Sequence, residues 1–202
     1  DISSLNLLEK IGCPAYKIAS PEITDVPLIS AVAKTKKPII ISNGLGSIKD
    51  LSLAIRSVKK ERNKNLIILK CTSSYPAPLN EINLEMMEFI KKKYKVLSGY
   101  SDHTLKYHTA IHSASLGAVL LERHVSFKDK KSVDDFFSSS IEEFGEMIKI
   151  IRSNELANGK IIKGISNSSK INLNGRRSLY VVNDIKKGEK FSNKNIRSIR
   201  PS

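Results

Sequence analysis

The 202-residue sequence predicts a parallel α/β fold from three observations. Short, nearly continuous Ile/Val/Leu runs recur along it, stretches long enough for helices separate them, and each run ends in a polar cluster. Strands buried on both faces read as unbroken apolar runs, and their alternation with helices is the pattern of a parallel sheet. The runs are AYKIAS (15–20), PIIIS (38–42), LIILKC (66–71), KVLSGY (95–100) and AVLLER (118–123). Between them, Val26 to Thr35, Ser47 to Glu61, Leu84 to Lys93 and Thr104 to Leu116 predict crossover helices, and Ile141 to Leu156 predicts one more after the last run. Ahead of the first run, Ile2, Leu5, Leu8 and Ile11 mark an amphipathic helix.

Parallel sheets and barrels place their chemistry at the C-terminal ends of the strands. Here those ends carry Lys17, Ser20 and Glu22; then Ser42 and Asn43; then Thr72, Ser73 and Tyr75; then Ser101, Asp102 and His103; and last Glu122 and His124. A single serine after a strand is an ordinary turn residue. Five strands aiming hydroxyls, a lysine, carboxylates and imidazoles at one rim are more than solvation requires. His103 and His124 lie 21 residues apart, about one strand–helix–strand repeat, so both imidazoles belong at the same end of neighbouring strands. The spacing admits a two-histidine site for a divalent ion or two polar strand-end residues. A lysine among small hydroxyls suits a phosphate or carboxylate, and a metal beside it suits a carbonyl that must be polarised. Together they describe an anionic, phosphorylated substrate meeting an aldehyde or ketone in lyase or synthase chemistry.

The segments AYKIAS-x-E (15–22), KPIIISNG (37–44), LKCTSSYPAP (69–78), GYSDHT (99–104), LGAVLLERH (116–124) and RRSLYVVNDIKKGE (176–189) with IRSIRP (196–201) resemble the sialic acid synthase family. That family condenses phosphoenolpyruvate with an amino-sugar aldehyde to make nonulosonic acids. The resemblance runs in order over essentially the whole chain. It implies a partial (β/α)8 barrel, about the last five strands, over residues 1–157, a linker over 158–175, and the start of a small antifreeze-like (SAF) domain over 176–202. On this reading three barrel strands, with a catalytic glutamate and a phosphate-binding lysine, precede the chain, and these 202 residues alone have little activity.

By resemblance, His103 and His124 hold a divalent ion, manganese or magnesium, that activates the aldehyde. Lys17, Ser20, Ser42, Ser73 and Ser101 match the positions that hold phosphoenolpyruvate. Glu22, Tyr75 and Asp134 match positions facing the acceptor sugar, with Glu22 counted with the histidines as catalytic. Arg200 matches an arginine that reaches the sugar from the partner subunit's small domain in a homodimer. The implied reaction joins carbon 3 of phosphoenolpyruvate to the aldehyde carbon, adds water at carbon 2, and expels phosphate by carbon–oxygen cleavage. VDDFFS (133–138), the lysine of LKCTS and the RRSLYVV and IRSIRP segments look more like pseudaminic acid synthases than N-acetylmannosamine-using enzymes. The acceptor implied is a 2,4-diacetamido-2,4,6-trideoxy-altrose, with an N-acetylneuraminate or legionaminate synthase as the alternative.

The chain departs from the family pattern at Asn43, commonly threonine, and at Val125, commonly phenylalanine. The loop from Ser126 to Val133 is one residue short, which leaves the sugar-facing role between Asp134 and Asp135. His108 and His112, four apart, read as one exposed helix face rather than a second metal pair.

The formal charge of +14, from 34 Lys and Arg against 20 Asp and Glu, raises nucleic-acid binding. The positives are dispersed on helix faces, at Lys59, Lys60 and Lys91 to Lys93, without an RNA-binding signature, so a solvated basic surface is the expectation. Cys13 and Cys71 have no disulfide or zinc spacing and read as reduced core thiols. No apolar run approaches the ~18 residues of a membrane span, and a cytoplasmic protein is expected. Two other readings stay open: a non-catalytic sugar- or phosphate-binding remnant, and a metal-dependent aldolase or isomerase on the same barrel.

Overall fold

The structure, a computed structural model, describes residues 1–127 and 132–200. The chain forms two compact units, Asp1–Asn158 and Gly159–Ser202. In the first, helix α1 (Ile2–Lys10) leads into β1 (Tyr16–Ile18), followed by α2 (Val26–Lys34), β2 (Ile39–Asn43), α3 (Ile48–Lys60), β3 (Leu66–Cys71), α4 (Glu85–Tyr94), β4 (Leu97–Asp102), α5 (His108–Ser115), β5 (Leu121–Arg123) and α6 (Ile141–Asn158). All five strands pair in parallel, in chain order. Parallel crossovers are right-handed, so when consecutive strands are also neighbours every crossover helix falls on the same side. That is barrel winding; a doubly wound sheet reverses its strand order.

Strand alternation then sorts the side chains onto two faces. Tyr16, Ile39 and Leu66 share one row of the register and Ile18, Ile41 and Ile68 another. These rows are buried with Ile29 and Val32 of α2, Leu51, Ile55 and Val58 of α3, and Ile90 of α4. Each such side chain contributes about 1.5–3 kcal/mol on burial. The alternate rows, Lys17/Ile40/Ile67/Leu97, Ser42/Leu69/Gly99 and Cys71/Ser101/Glu122, fall on the opposite, inner face. Lys17 is exposed between buried Tyr16 and Ile18, which is that alternation in miniature.

Element ends differ from the sequence expectation where local chemistry intervenes. The fourth strand starts at Leu97 rather than Lys95, because Lys95 has φ 54° and closes α4 in the left-handed region. The fourth crossover helix starts at His108 rather than Thr104. Thr104 is held by the Asp102 carboxylate, and its carbonyl accepts from Arg123, so its backbone groups are committed before a helix can form. The first strand stops at Ile18, and Ser20–Thr24 form a 3-10 turn. Helix α3 begins as the SIKD sequence implies, with a capping box between Ser47 and Asp50.

The second unit contains a short helix α7 (Asn167–Lys170) and an antiparallel pair, β6 (Ser178–Val181) with β7 (Ile196–Ile199). Helix α7 lies inside the stretch expected as linker. The buried Asn195 ties the turn before β7: its Oδ1 accepts from the Ser192 amide at 2.8 Å and its Nδ2 donates to the Lys190 carbonyl at 3.2 Å.

Two glycines of the first unit give opposite expectations. A Cβ on Gly99 would lie 2.3 Å from the Leu120 carbonyl oxygen and 2.7 Å from Leu69 Cδ2, whereas one on Gly145, inside α6, meets nothing within 4 Å. Gly99→Ala is expected to destabilise the first unit by about 1–3 kcal/mol. Gly145→Ala is expected to stabilise it by about 0.5–1 kcal/mol in urea unfolding.

Candidate active site

The inner face at the C-terminal ends of the strands gathers two linked groups of side chains. In the first, Lys17 Nζ lies 3.1 Å from Glu122 Oε2, and Ser101 donates to Glu122 Oε1 at 2.7 Å. The carboxylate on β5 thus joins a lysine on β1 to a hydroxyl on β4. Cys71, in the same register row as Ser101 and Glu122, is buried and 3.8 Å from His103 Nδ1. Burial pushes its thiol pKa up, which keeps it protonated and unreactive.

The second group is aromatic. The rings of His103 and His124 lie 5.3 Å apart, edge to face, with Tyr75 4.3 Å from His103 and Phe137 4.9 Å from His124. His103 Nδ1 sits 2.9 Å from the Thr72 carbonyl, which can only accept, so Nδ1 carries the proton and Nε2 keeps its lone pair. Burial also lowers the His103 pKa, favouring the neutral ring that a metal requires. On the far side of His124, Asp134 Oδ2 stands 3.4 Å from Nδ1. Asp135 instead accepts from the Ser126 hydroxyl and, at 3.0 Å, from the Ser132 amide. Of the two aspartates, Asp134 is the one that meets the imidazole.

Among the described residues no group of three His, Cys, Asp or Glu side chains gathers as a ready metal cage. The pair itself fits a divalent ion. Ring nitrogens ligate at about 2.1 Å, which puts the centroids of two imidazoles on one ion roughly 5 Å apart. The tautomer of His103 leaves Nε2 able to ligate, and water or substrate oxygens would complete the shell.

A buried polar network fixes this geometry from the other face of the sheet. Arg123 Nη1 meets Asp102 Oδ2 at 2.6 Å with both side chains almost fully buried. Arg123 also donates to Ser139 Oγ and to the Thr104 carbonyl, at 2.6 and 2.8 Å. Asp102 further accepts from Tyr100, Thr109 and the Thr104 amide. That carboxylate helps push the Tyr100 hydroxyl pKa far up, second to burial. Residues 102 and 123 are register partners, so His103 and His124, which directly follow them, leave the sheet together on the opposite side.

The remaining predicted residues occupy distinct places. Ser20 Oγ accepts from the amides of Gly44 and Leu45, both at 2.8 Å, and so shapes the turn after β2. Ser42 Oγ is buried on the inner face without a hydrogen-bond partner among the described residues. Ser73 packs so close to Gly44 that a Cβ there would be 2.5 Å from its Oγ. Glu22 lies in the 3-10 turn after β1, half-buried. Arg200 is exposed in the second unit. His108 and His112 are both exposed on α5, as a solvated helix face requires.

A family model described as the NeuB family matches residues 1–163. The chain belongs to the NeuB family. It is 37% identical over its full length to the N,N'-diacetyllegionaminic acid synthase of Campylobacter jejuni, covering 62% of that protein. It is also 37% identical, over 98% of its length and 58% of the relative's, to a pseudaminic acid synthase of the same species. The chain therefore spans about six-tenths of the curated relatives it matches. Among solved structures, the N-acetylneuraminic acid synthetase of Leptospira borgpetersenii superposes with a TM-score of 0.77 at 27% identity, over 86% of this chain and 61% of that one. The spore coat polysaccharide biosynthesis protein SpsE of Bacillus subtilis gives 0.75 at 31% identity, over 100% and 61%. The barrel winding of the five strands is thus that of sialic acid synthase structures.

In this NeuB-family chain, sequence reasoning placed Glu122 on the rim but gave it no role. The period-2 offset from His124, which directly follows the same strand, was the available signal. Phe137 and the Asp102–Arg123 pair were not predicted, because ring packing and burial come from segments distant in sequence. Removing one partner of a buried ion pair strands the other charge. Arg123→Met is therefore expected to lower stability by about 3–5 kcal/mol in urea unfolding.

Proposed function

We propose that this chain supplies the C-terminal half of the active-site rim of a nonulosonic acid synthase, which condenses phosphoenolpyruvate with an amino-sugar aldehyde and water. The observation that carries this reading is the convergence of Lys17, the orphan hydroxyl of Ser42, Ser101 and the two imidazoles on one inner face. A buried hydroxyl without a partner costs about 1–3 kcal/mol, a cost that an anionic ligand oxygen would relieve.

In the proposed site, the Lys17 ammonium offsets the charge of phosphoenolpyruvate while Ser20, Ser42, Ser73 and Ser101 bound the pocket around it. His103 and His124 would hold a manganese or magnesium ion, which when bound supplies Lewis-acid polarisation of the acceptor's aldehyde oxygen. Tyr75 packs against His103 and walls the sugar side, with Asp134 beyond His124. Glu22 and, from a partner subunit in a homodimer, Arg200 are assigned to the sugar and its proton transfers. A bond forms between carbon 3 of phosphoenolpyruvate and the aldehyde carbon, whose oxygen gains a proton. Water oxygen adds at carbon 2, the carbon 2–oxygen bond to phosphate breaks, and inorganic phosphate leaves as carbon 2 becomes a ketone.

The acceptor we favour is 2,4-diacetamido-2,4,6-trideoxy-altrose, giving pseudaminic acid, on the strength of the VDDFFS and LKCTS segments. The equal 37% identity to a legionaminic acid synthase supports a mannosamine-type acceptor as the second reading.

Phosphate release by the full-length protein, with manganese, phosphoenolpyruvate and each sugar in turn, tests both. His103→Ala and His124→Ala are each expected to lower turnover at least 100-fold and, in calorimetry, manganese affinity at least tenfold. Lys17→Ala is expected to raise the KM for phosphoenolpyruvate about tenfold or more. Full metal-dependent activity in either histidine variant would sink the ligand assignment.

A further inference from the structure

The opposite, N-terminal end of the strands carries a cavity that the proposed chemistry does not use. It measures about 630 Å³ and lies where the ends of α3 and α4 meet the starts of β3 and β4. Its floor is apolar, made by Leu66, Val96 and the half-exposed Leu97. Around it stand five lysines, Lys59, Lys64, Lys91, Lys92 and Lys95, and among the described residues no carboxylate lines it.

Part of this charge has a local explanation. Lys59, Lys91 and Lys92 sit in the last turns of α3 and α4, where cations complement the helix dipole. Lys59 also donates to the Tyr94 carbonyl at 2.9 Å, and Lys92 pairs with Glu88 at 3.1 Å. Lys95 caps the C-terminus of α4, but Lys64 lies beyond the Glu61 cap of α3, so the dipole does not account for it. Like charges around one concavity repel, and low-dielectric walls focus their field on whatever enters. The volume lies within the range of small-molecule sites, and barrels keep this end for stability rather than catalysis.

We infer that this cavity binds an organic polyanion, two or more phosphate groups on an apolar or aromatic body, at a site separate from the catalytic rim. The ammonium groups of Lys64, Lys91 and Lys95 take the phosphates, and the Leu66–Val96–Leu97 floor takes the body. A nucleotide matches both halves of the cavity, whereas phosphoenolpyruvate has no apolar body for the floor.

Calorimetry on the full-length protein, without divalent metal, tests this with ATP and with inorganic tripolyphosphate as probes. One saturable site is expected, with ATP bound at least threefold more tightly than tripolyphosphate. Lys64→Gln with Lys91→Gln should weaken ATP about tenfold or more. Lys160→Gln with Lys163→Gln, an equal charge loss at exposed positions of the second unit, should leave it within about twofold, as should Lys17→Ala at the rim. All these positions are solvent-exposed, and unchanged circular dichroism would verify the fold. The inference is overturned by absent saturation, by equal affinity for the two probes, by equal weakening from the control pair, or by loss of binding in Lys17→Ala. Tighter, salt-steep binding of duplex DNA that the Lys64/Lys91 pair abolishes would assign the patch to nucleic acid and overturn it as well.

Discussion

The Arg123–Asp102 pair is the interaction on which the site geometry depends. The two residues face each other across β4 and β5, buried on the helix side, and each immediately precedes a histidine. Because strand side chains alternate, locking residues 102 and 123 on one face sets the histidines on the other. A slip of one residue would drive the guanidinium toward the inner face and an imidazole into the core. Buried ion pairs add little net stability against an apolar alternative, since desolvation offsets most of the attraction. Their effect here is on register: the pair selects one alignment of two short strand ends.

The inner face shows the opposite economy. Lys17, Ser101 and Glu122 are satisfied by one another, but Ser42 is buried without a partner among the described residues, and Gly44 lets the β2 turn close against Ser73. Packing on the helix side is complete, with Ile29, Ile39, Ile41 and Ile68 wholly buried. Among the described residues, the one buried polar side-chain atom left without a partner, Ser42 Oγ, sits on the inner side of the sheet. That asymmetry separates the part of each strand that maintains the fold from the part available to a ligand.

The strands were legible because a buried parallel strand is an apolar run, and all five runs became strands in the expected order. Their ends were less legible. Lys95 and Thr104 look compatible with strand and helix, yet a left-handed cap and a buried carboxylate decide otherwise. Of the candidate site, the histidine pair was readable from its 21-residue spacing, since one repeat returns the chain to the same end of the sheet. That Asp134 lies beside His124 was not, because that proximity comes from tertiary packing rather than from spacing along the chain. Phe137 was equally hidden, since it reaches the His124 imidazole from a segment after the last strand.

The distribution of charge explains why an anion would need more than the rim's own cations. Lys17 is already paired with Glu122, and Arg123 is cancelled by Asp102 beneath the sheet. Asp134 adds a negative charge beside His124, while burial keeps His103 neutral. The +14 of the chain is therefore carried elsewhere, on helix faces and around the lysine-lined cavity at the other strand ends. Distant exposed charges are largely screened beyond ~8–10 Å at physiological salt, so they steer an anion more than they hold it. Under the proposed function, a dication on the two imidazoles would offset the carboxylates of Glu22, Glu122 and Asp134, and capture of a phosphorylated substrate would then be coupled to metal occupancy by electrostatics.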